Sequence, residues 1–82
     1  MEEKYQGDFF EVSDKVGIDL NTVIAIKDLE ASMEVFTDSK ELSKTFITDK
    51  QKIQEFMFYM IQKYGNIGVN VMLSAGKYMD IK

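Results

Sequence analysis

The 82-residue chain contains no cysteine, histidine, proline, tryptophan or arginine, and all ten of its basic residues are lysine. Without cysteine there are no disulfides, and without cysteine and histidine the usual tetrahedral zinc site cannot form. The same two absences remove the commonest general base and the thiol nucleophile. Without arginine the chain lacks the planar group that binds phosphate or guanine through paired hydrogen bonds. We therefore expect no enzyme and no catalytic residue.

The short length predicts a single domain spanning residues 1–82, with residues 1–7 frayed. Domains of this size bury a small core and are often reinforced by disulfides, a structural metal or self-association. Because the composition excludes disulfides and the usual zinc site, we expect a homodimer or larger assembly. No apolar run approaches the roughly 18 residues of a membrane span, and the acidic start is unlike a secretory signal. The expected location is the cytoplasm, away from membranes.

The net charge of −4 hides an asymmetry along the chain. Residues 1–38 carry ten acids against three lysines, whereas residues 39–82 carry seven lysines against four acids. An acidic half can attract a basic protein surface and speed the encounter with it. A solvated acidic face that keeps the chain soluble explains the same residues without a partner. The acidic candidates for partner binding are Glu11, Asp14, Asp19, Asp28, Glu30 and Glu34.

A helix is predicted over residues 49–64. Thr48 and Gln51 have the spacing of a capping box, and Asp49 complements the positive end of a helix. One apolar stripe follows the helical period, and Gly65-Asn66 supplies a stop signal. The residues of the stripe are Ile53, Met57, Met60, Ile61 and Tyr64.

Phe58 and Tyr59 lie off this stripe, so they indicate a second covered surface on the helix. Cover by the sheet and a C-terminal strand would explain them. A contact with a second copy or another protein would explain them equally, and both residues are candidates for partner binding.

The residues before the helix favour an antiparallel meander of β-strands. Val23-Ile24-Ala25-Ile26 is rich in β-branched residues, and two later runs carry strand-forming side chains. Thr37-Asp38-Ser39-Lys40 has turn-forming residues between the last two strands. The predicted strands are Phe9–Ser13, Thr22–Leu29, Ser32–Thr37 and Ser43–Thr48.

A mostly helical fold is the alternative. In this alternative the small residue Ser13 precedes Gly17 by four positions, and Thr22-Val23 stands at the start of a second apolar run. This pattern resembles that of helix-turn-helix proteins, and the resemblance implies a winged-helix regulator with residues 33–48 as its wing and DNA as its partner. The residues that carry it are Ser13, Gly17, Ile18, Asn21, Thr22, Val23, Ile26 and Leu29.

Residues after the helix predict a C-terminal hairpin. Val69, Val71 and Leu73 alternate with less apolar neighbours, Ala75-Gly76-Lys77 can turn the chain, and Tyr78–Ile81 can return. The preferred fold class is therefore α+β, with a small antiparallel sheet packed against one main helix.

The expected function is non-catalytic interaction with a protein. Nucleotide-binding fingerprints and calcium-loop spacing are missing, so no cofactor and no metal are expected. Nucleic acid is a poor partner for a chain of net charge −4. Small acidic chains of this composition are typical of phage or mobile-element accessory proteins that inhibit or regulate a host protein. The alternatives are the winged-helix regulator and an oligomer that holds a small ligand between protomers.

Overall fold

A computed structural model describes residues 9–38 and 42–79 of the chain. Within these ranges it contains five strands, one short 3₁₀ helix and one long helix. The elements in chain order are β1 (Phe9–Glu11), β2 (Gly17–Asp19), the 3₁₀ helix (Leu20–Thr22), β3 (Val23–Asp28), β4 (Met33–Asp38), β5 (Leu42–Ile47) and α1 (Lys50–Tyr78). The α+β class predicted from the sequence is confirmed.

The strands form two antiparallel units. β1 pairs with β2 in a hairpin, and β3, β4 and β5 form a meander in sequence order. The three meander strands lie within one residue of their predicted bounds, because they contain the β-branched and aromatic residues that favour strands. The predicted first strand is shorter, ending at Glu11, and it pairs with β2, which the sequence did not reveal. Part of the predicted turn, Ser39 and Lys40, lies outside the described residues, as do residues 1–7.

The helix-turn-helix interpretation is wrong. Gly17–Asp19, which it placed at the turn between two helices, is a strand paired with β1. Val23–Asp28, which it made a recognition helix, is the first strand of the meander. The physical reason is the run of β-branched residues at 22–24, which pack better on a pleated surface than in a helix.

The predicted helix over 49–64 is confirmed, and its helical backbone is interrupted at Gly65, where the stop is predicted, but a second helical segment follows. The carboxylate of Asp49 caps it by accepting a hydrogen bond from the Gln51 amide at 2.9 Å. The chain kinks at Gly65, which has φ 81° and ψ 167°, and continues as helix to Tyr78. The predicted C-terminal hairpin is therefore wrong, since Val69–Leu73 is helical and the turn placed at Ala75–Lys77 does not form. Residues 80–82 lie outside the described ranges.

The kink depends on the absence of a side chain at Gly65. Its φ and ψ fall in a region that only glycine occupies readily. We expect Gly65→Ala to lower the free energy of unfolding by about 1–3 kcal/mol from backbone strain alone, since a Cβ there would meet no atom within 4 Å. Urea unfolding measures this, with the exposed Asn66→Ala as a near-neutral control. A Gly65→Ala variant as stable as the wild type would contradict the prediction.

The core lies between α1 and one face of the strands. Phe10, from the hairpin, packs edge-on against Phe56 of the helix, with ring centroids 5.5 Å apart. The Tyr64 hydroxyl donates a hydrogen bond of 2.6 Å to the carbonyl oxygen of Leu20. These contacts fix the first helical segment, residues 50–64, over the hairpin and the 3₁₀ helix. Val69 is the main buried side chain of the second segment, residues 66–78.

Candidate interaction surface

The side of α1 that faces away from the sheet is rich in apolar side chains. Phe58 is 57% exposed and Ile61 is 36% exposed on the first segment. Ile67, Val71 and Tyr78 on the second segment are 81%, 63% and 71% exposed. We call these five residues the outer helix surface. A surface helix in a folded monomer normally keeps one apolar stripe and one polar face, so this second apolar face is unusual.

The sequence places these residues together through the helical period. Ile67, Val71 and Tyr78 are separated by four and seven positions, which brings them onto one side of a helix. The inward side of the same segment carries Val69 and Gly76, both buried. The segment is thus apolar on opposite sides.

Most positions interspersed on the outward side are amides or a hydroxyl, and all of these are exposed: Gln54, Gln62, Asn66, Asn70 and Ser74. From Phe58 to Tyr78 the one exposed charged residue of the helix is Lys77, near its end. Charged residues are depleted at the centres of protein interfaces, while apolar and aromatic residues are enriched there. In a chain with 29% charged residues, a helix side with a single charge near its end fits an interface better than a solvated face.

Of the two aromatic residues singled out in the sequence, only Phe58 belongs to the outer helix surface. Tyr59 is half-buried and packs against Phe10, with ring centroids 5.9 Å apart. Its ring also meets that of Phe58 at 5.6 Å. Tyr59 therefore supports the exposed Phe58 from the side of the core.

The acidic candidates do not come together at one place. Glu11 is exposed on β1, Asp14 is exposed between β1 and β2, and Asp28 and Glu30 are exposed around the start of the β3–β4 connection. Asp19 caps the 3₁₀ helix through a 3.0 Å hydrogen bond from the Asn21 amide.

Glu34 forms an ion pair within the sheet. Its Oε1 lies 3.6 Å from Lys44 Nζ, and the Lys44 ammonium also lies over the rings of Phe36 and Phe46. Phe46, 52% exposed, is an apolar residue on the sheet face opposite the helix. Because Lys44 and Glu34 form an ion pair beside Phe46, this face of the sheet carries both charged and apolar side chains.

Sequence reasoning missed Ile67, Val71 and Tyr78, and it placed the exposed Ile61 on the apolar stripe of the helix. Residues 69–73 alternate in polarity, which is typical of a strand, and a strand would send Val69 and Val71 to the same side. The spacing of Ile67, Val71 and Tyr78 was the available signal for a helix. The Gly65-Asn66 pair obscured it, because that pair is also a common helix stop.

A cleft of about 600 Å³ opens beside the second helical segment. It lies between the end of β3 and the flank of α1, next to the outer helix surface. Its lining residues are Lys27, Asp28, Asn70, Leu73, Ser74 and Lys77.

No protein-family model, curated protein or solved structure matches this chain. In residues 9–38 and 42–79, no helix combines the length and apolar character needed to cross a bilayer. Within the same ranges, acidic side chains do not gather in threes as potential metal ligands.

Proposed function

We propose that this chain is a non-catalytic protein-binding domain, and that the outer helix surface binds a second copy of the chain. The observation that carries the proposal is the outward apolar line of Phe58, Ile61, Ile67, Val71 and Tyr78. A single copy leaves this line in water, at a cost of about 25 cal/mol for each Å² of apolar surface.

A second copy fits this surface because the surface carries little charge. In a two-fold dimer the same patch contributes from both protomers, so like charges on the patch would oppose association. From Phe58 to Tyr78 the exposed positions of the helix carry apolar, amide and hydroxyl groups apart from Lys77 at one end, so such repulsion is small. A strongly basic or acidic partner would find no matching charge there.

An antiparallel arrangement of the two helices matches the distribution of side chains. With Ile67 near the two-fold axis, Ile61 of each copy lies beside Val71 of the other, and Phe58 lies near Ser74 and Tyr78. The positive end of one helix then lies near the negative end of the other. The 29 residues of the two helical segments follow a path of about 43 Å, with the kink at Gly65 between them, which allows an interface on the order of the 800 Å² per partner found in stable complexes.

Within this proposal the dimer inhibits or regulates a further protein by covering part of its surface. The acids Glu11, Asp14, Asp28 and Glu30 are exposed on the strands and their connections, outside the outer helix surface, and each can meet a basic group of a further protein. Turnover of a substrate by the purified wild-type chain, abolished by one substitution, would overturn the non-catalytic part of the proposal.

Sedimentation velocity over a range of protein concentrations tests the dimer. We expect the wild type to have twice the 9.5 kDa mass of the chain and Val71→Glu to be monomeric, because dimerisation would bury an unpaired charge. Circular dichroism of Val71→Glu should match the wild type, since Val71 is exposed in a single copy.

Val16→Glu is the matched control. Val16 is 41% exposed in the β1–β2 hairpin, far from the outer helix surface along the chain, and the substitution introduces the same charge. We expect it to leave the dimer intact. A monomeric wild type at high micromolar concentration, or equal dissociation by both variants, would refute the proposed interface.

A further inference from the structure

The cleft beside the second helical segment has one wall on the helix and one on the sheet. Asn70, Leu73, Ser74 and Lys77 are spaced at i, i+3, i+4 and i+7, so they form one continuous face of the helix. Lys27 and Asp28 form the other wall.

The relative position of the two walls is fixed by the backbone. Gly76 lies so close to β3 that a Cβ on it would be 1.9 Å from the carbonyl oxygen of Ile26 and 3.1 Å from the amide nitrogen of Lys27. The helix therefore rests directly on the strand that carries Lys27 and Asp28. A cleft between rigidly packed elements loses little entropy when it binds a ligand.

The lining is unusually rich in hydrogen-bond donors. Lys27 and Lys77 carry ammonium groups, Asn70 an amide and Ser74 a hydroxyl, and Asp28 is the one acid among the lining residues that the structure describes. The charges of these described lining residues sum to a positive charge, in a chain whose net charge is −4. The cleft volume of about 600 Å³ falls within the usual range for small-molecule sites.

We propose that this cleft binds a small phosphate ester that carries hydroxyl groups. A phosphate offers three acceptor oxygens, enough to accept from Asn70, Ser74 and Lys77 on the helix wall at once. Asp28 can accept a hydrogen bond from a ligand hydroxyl, and Leu73 provides an apolar contact for the carbon skeleton. Sugar phosphates and nucleotides share this chemistry.

NMR titration of the ¹⁵N-labelled full chain tests the proposal. The probes are ribose 5-phosphate and adenosine 5′-monophosphate, with ribose, adenosine and inorganic phosphate as comparisons. We expect saturable shifts of the amides at 27, 28, 70, 74 and 77 with an ester, and a Kd in the millimolar range or tighter. Whichever ester binds more tightly identifies the source as a sugar phosphate or a nucleotide.

Lys77→Gln should weaken ester binding at least tenfold. Lys50→Gln, at the exposed start of α1 and outside the cleft, is the matched control and should leave it unchanged. Three results would overturn the proposal. They are an equal loss of ester binding in both variants, amide shifts spread evenly over Lys44, Lys50 and Lys52, and no saturation by either ester. Binding of ribose or inorganic phosphate as tight as that of the esters would overturn it as well. Repeating the titration on Val71→Glu separates the cleft from the dimer proposal, because all the lining residues of the cleft belong to one copy and the cleft is present in the monomer.

Discussion

Phe10→Ala is expected to lower the free energy of unfolding by about 3–5 kcal/mol, the range found for truncating a fully buried aromatic side chain. Phe10 is completely buried and lies in the middle of the contact between hairpin and helix. Its ring centroid is 5.5 Å from that of Phe56 and 5.9 Å from that of Tyr59. Removing it would leave a cavity lined by two rings of α1, and these rings cannot fill the cavity unless the helix moves toward the hairpin.

The neighbouring Phe9→Ala is the matched control for this prediction. Phe9 is in the same strand, and the substitution removes the same atoms, yet its side chain is 49% exposed. We expect it to cost about half as much as Phe10→Ala or less, since burial sets the transfer free energy. Urea unfolding of both variants at one protein concentration gives the comparison. Equal losses would mean that Phe10 does not hold the hairpin on the helix.

The meander could be predicted from the sequence because each strand carries its own local signal. Val23–Asp28 is rich in β-branched residues, and the pairs Ile26–Val35 and Met33–Ile47 in the observed register place apolar residues on the core face. The first helical segment was equally clear, since an apolar stripe follows the helical period, although its N-cap is Asp49 and not Thr48, which the capping-box spacing indicates. Such local agreement between propensity and pattern is what makes an element predictable.

The second helical segment could not be predicted, because its structure depends on distant contacts. Gly65 can end a helix or kink one, and nothing nearby in the sequence decides between the two. Val69 and Leu73 are one helical turn apart and pack into the core, which favours helix only once the sheet is present to receive them. The strand β2 was missed for a similar reason, since the three residues Gly17–Asp19 are stabilised by pairing with β1.

Because a hairpin is the wrong prediction for residues 69–81, the sequence analysis does not identify most of the outer helix surface. A hairpin at 69–81 would have covered the first helical segment and so explained the exposed Phe58 without a partner. A kinked helix instead extends the apolar line by adding Ile67, Val71 and Tyr78 to Phe58 and Ile61. Chain length predicts self-association, and the outer helix surface is the surface that we propose for it.

Gly76→Ala is expected to detach the second helical segment from the sheet. A Cβ at this position would lie 1.9 Å from the Ile26 carbonyl oxygen and 2.5 Å from its carbon, and both are backbone atoms of β3. Alanine raises helix propensity by about 1 kcal/mol over glycine, so propensity alone would predict stabilisation. The clash should outweigh it, because overpacking costs about 1–3 kcal/mol even where side chains can move, and here the strand must move. We expect a net loss of at least about 2 kcal/mol.

Hydrogen exchange distinguishes local detachment from general unfolding. In Gly76→Ala, amides of residues 69–78 should lose protection, whereas those of residues 53–60 should keep it because Phe56 and Met60 remain packed against the hairpin and sheet. Ser74→Ala, two positions away and exposed, introduces the same residue without a clash and should be neutral or slightly stabilising. A Gly76→Ala variant that is more stable than the wild type would show that the helix does not rest on β3 at Ile26. The cleft between Lys27 and Lys77 would then lose its fixed geometry as well, so the same measurement also tests the basis of the proposed ligand site.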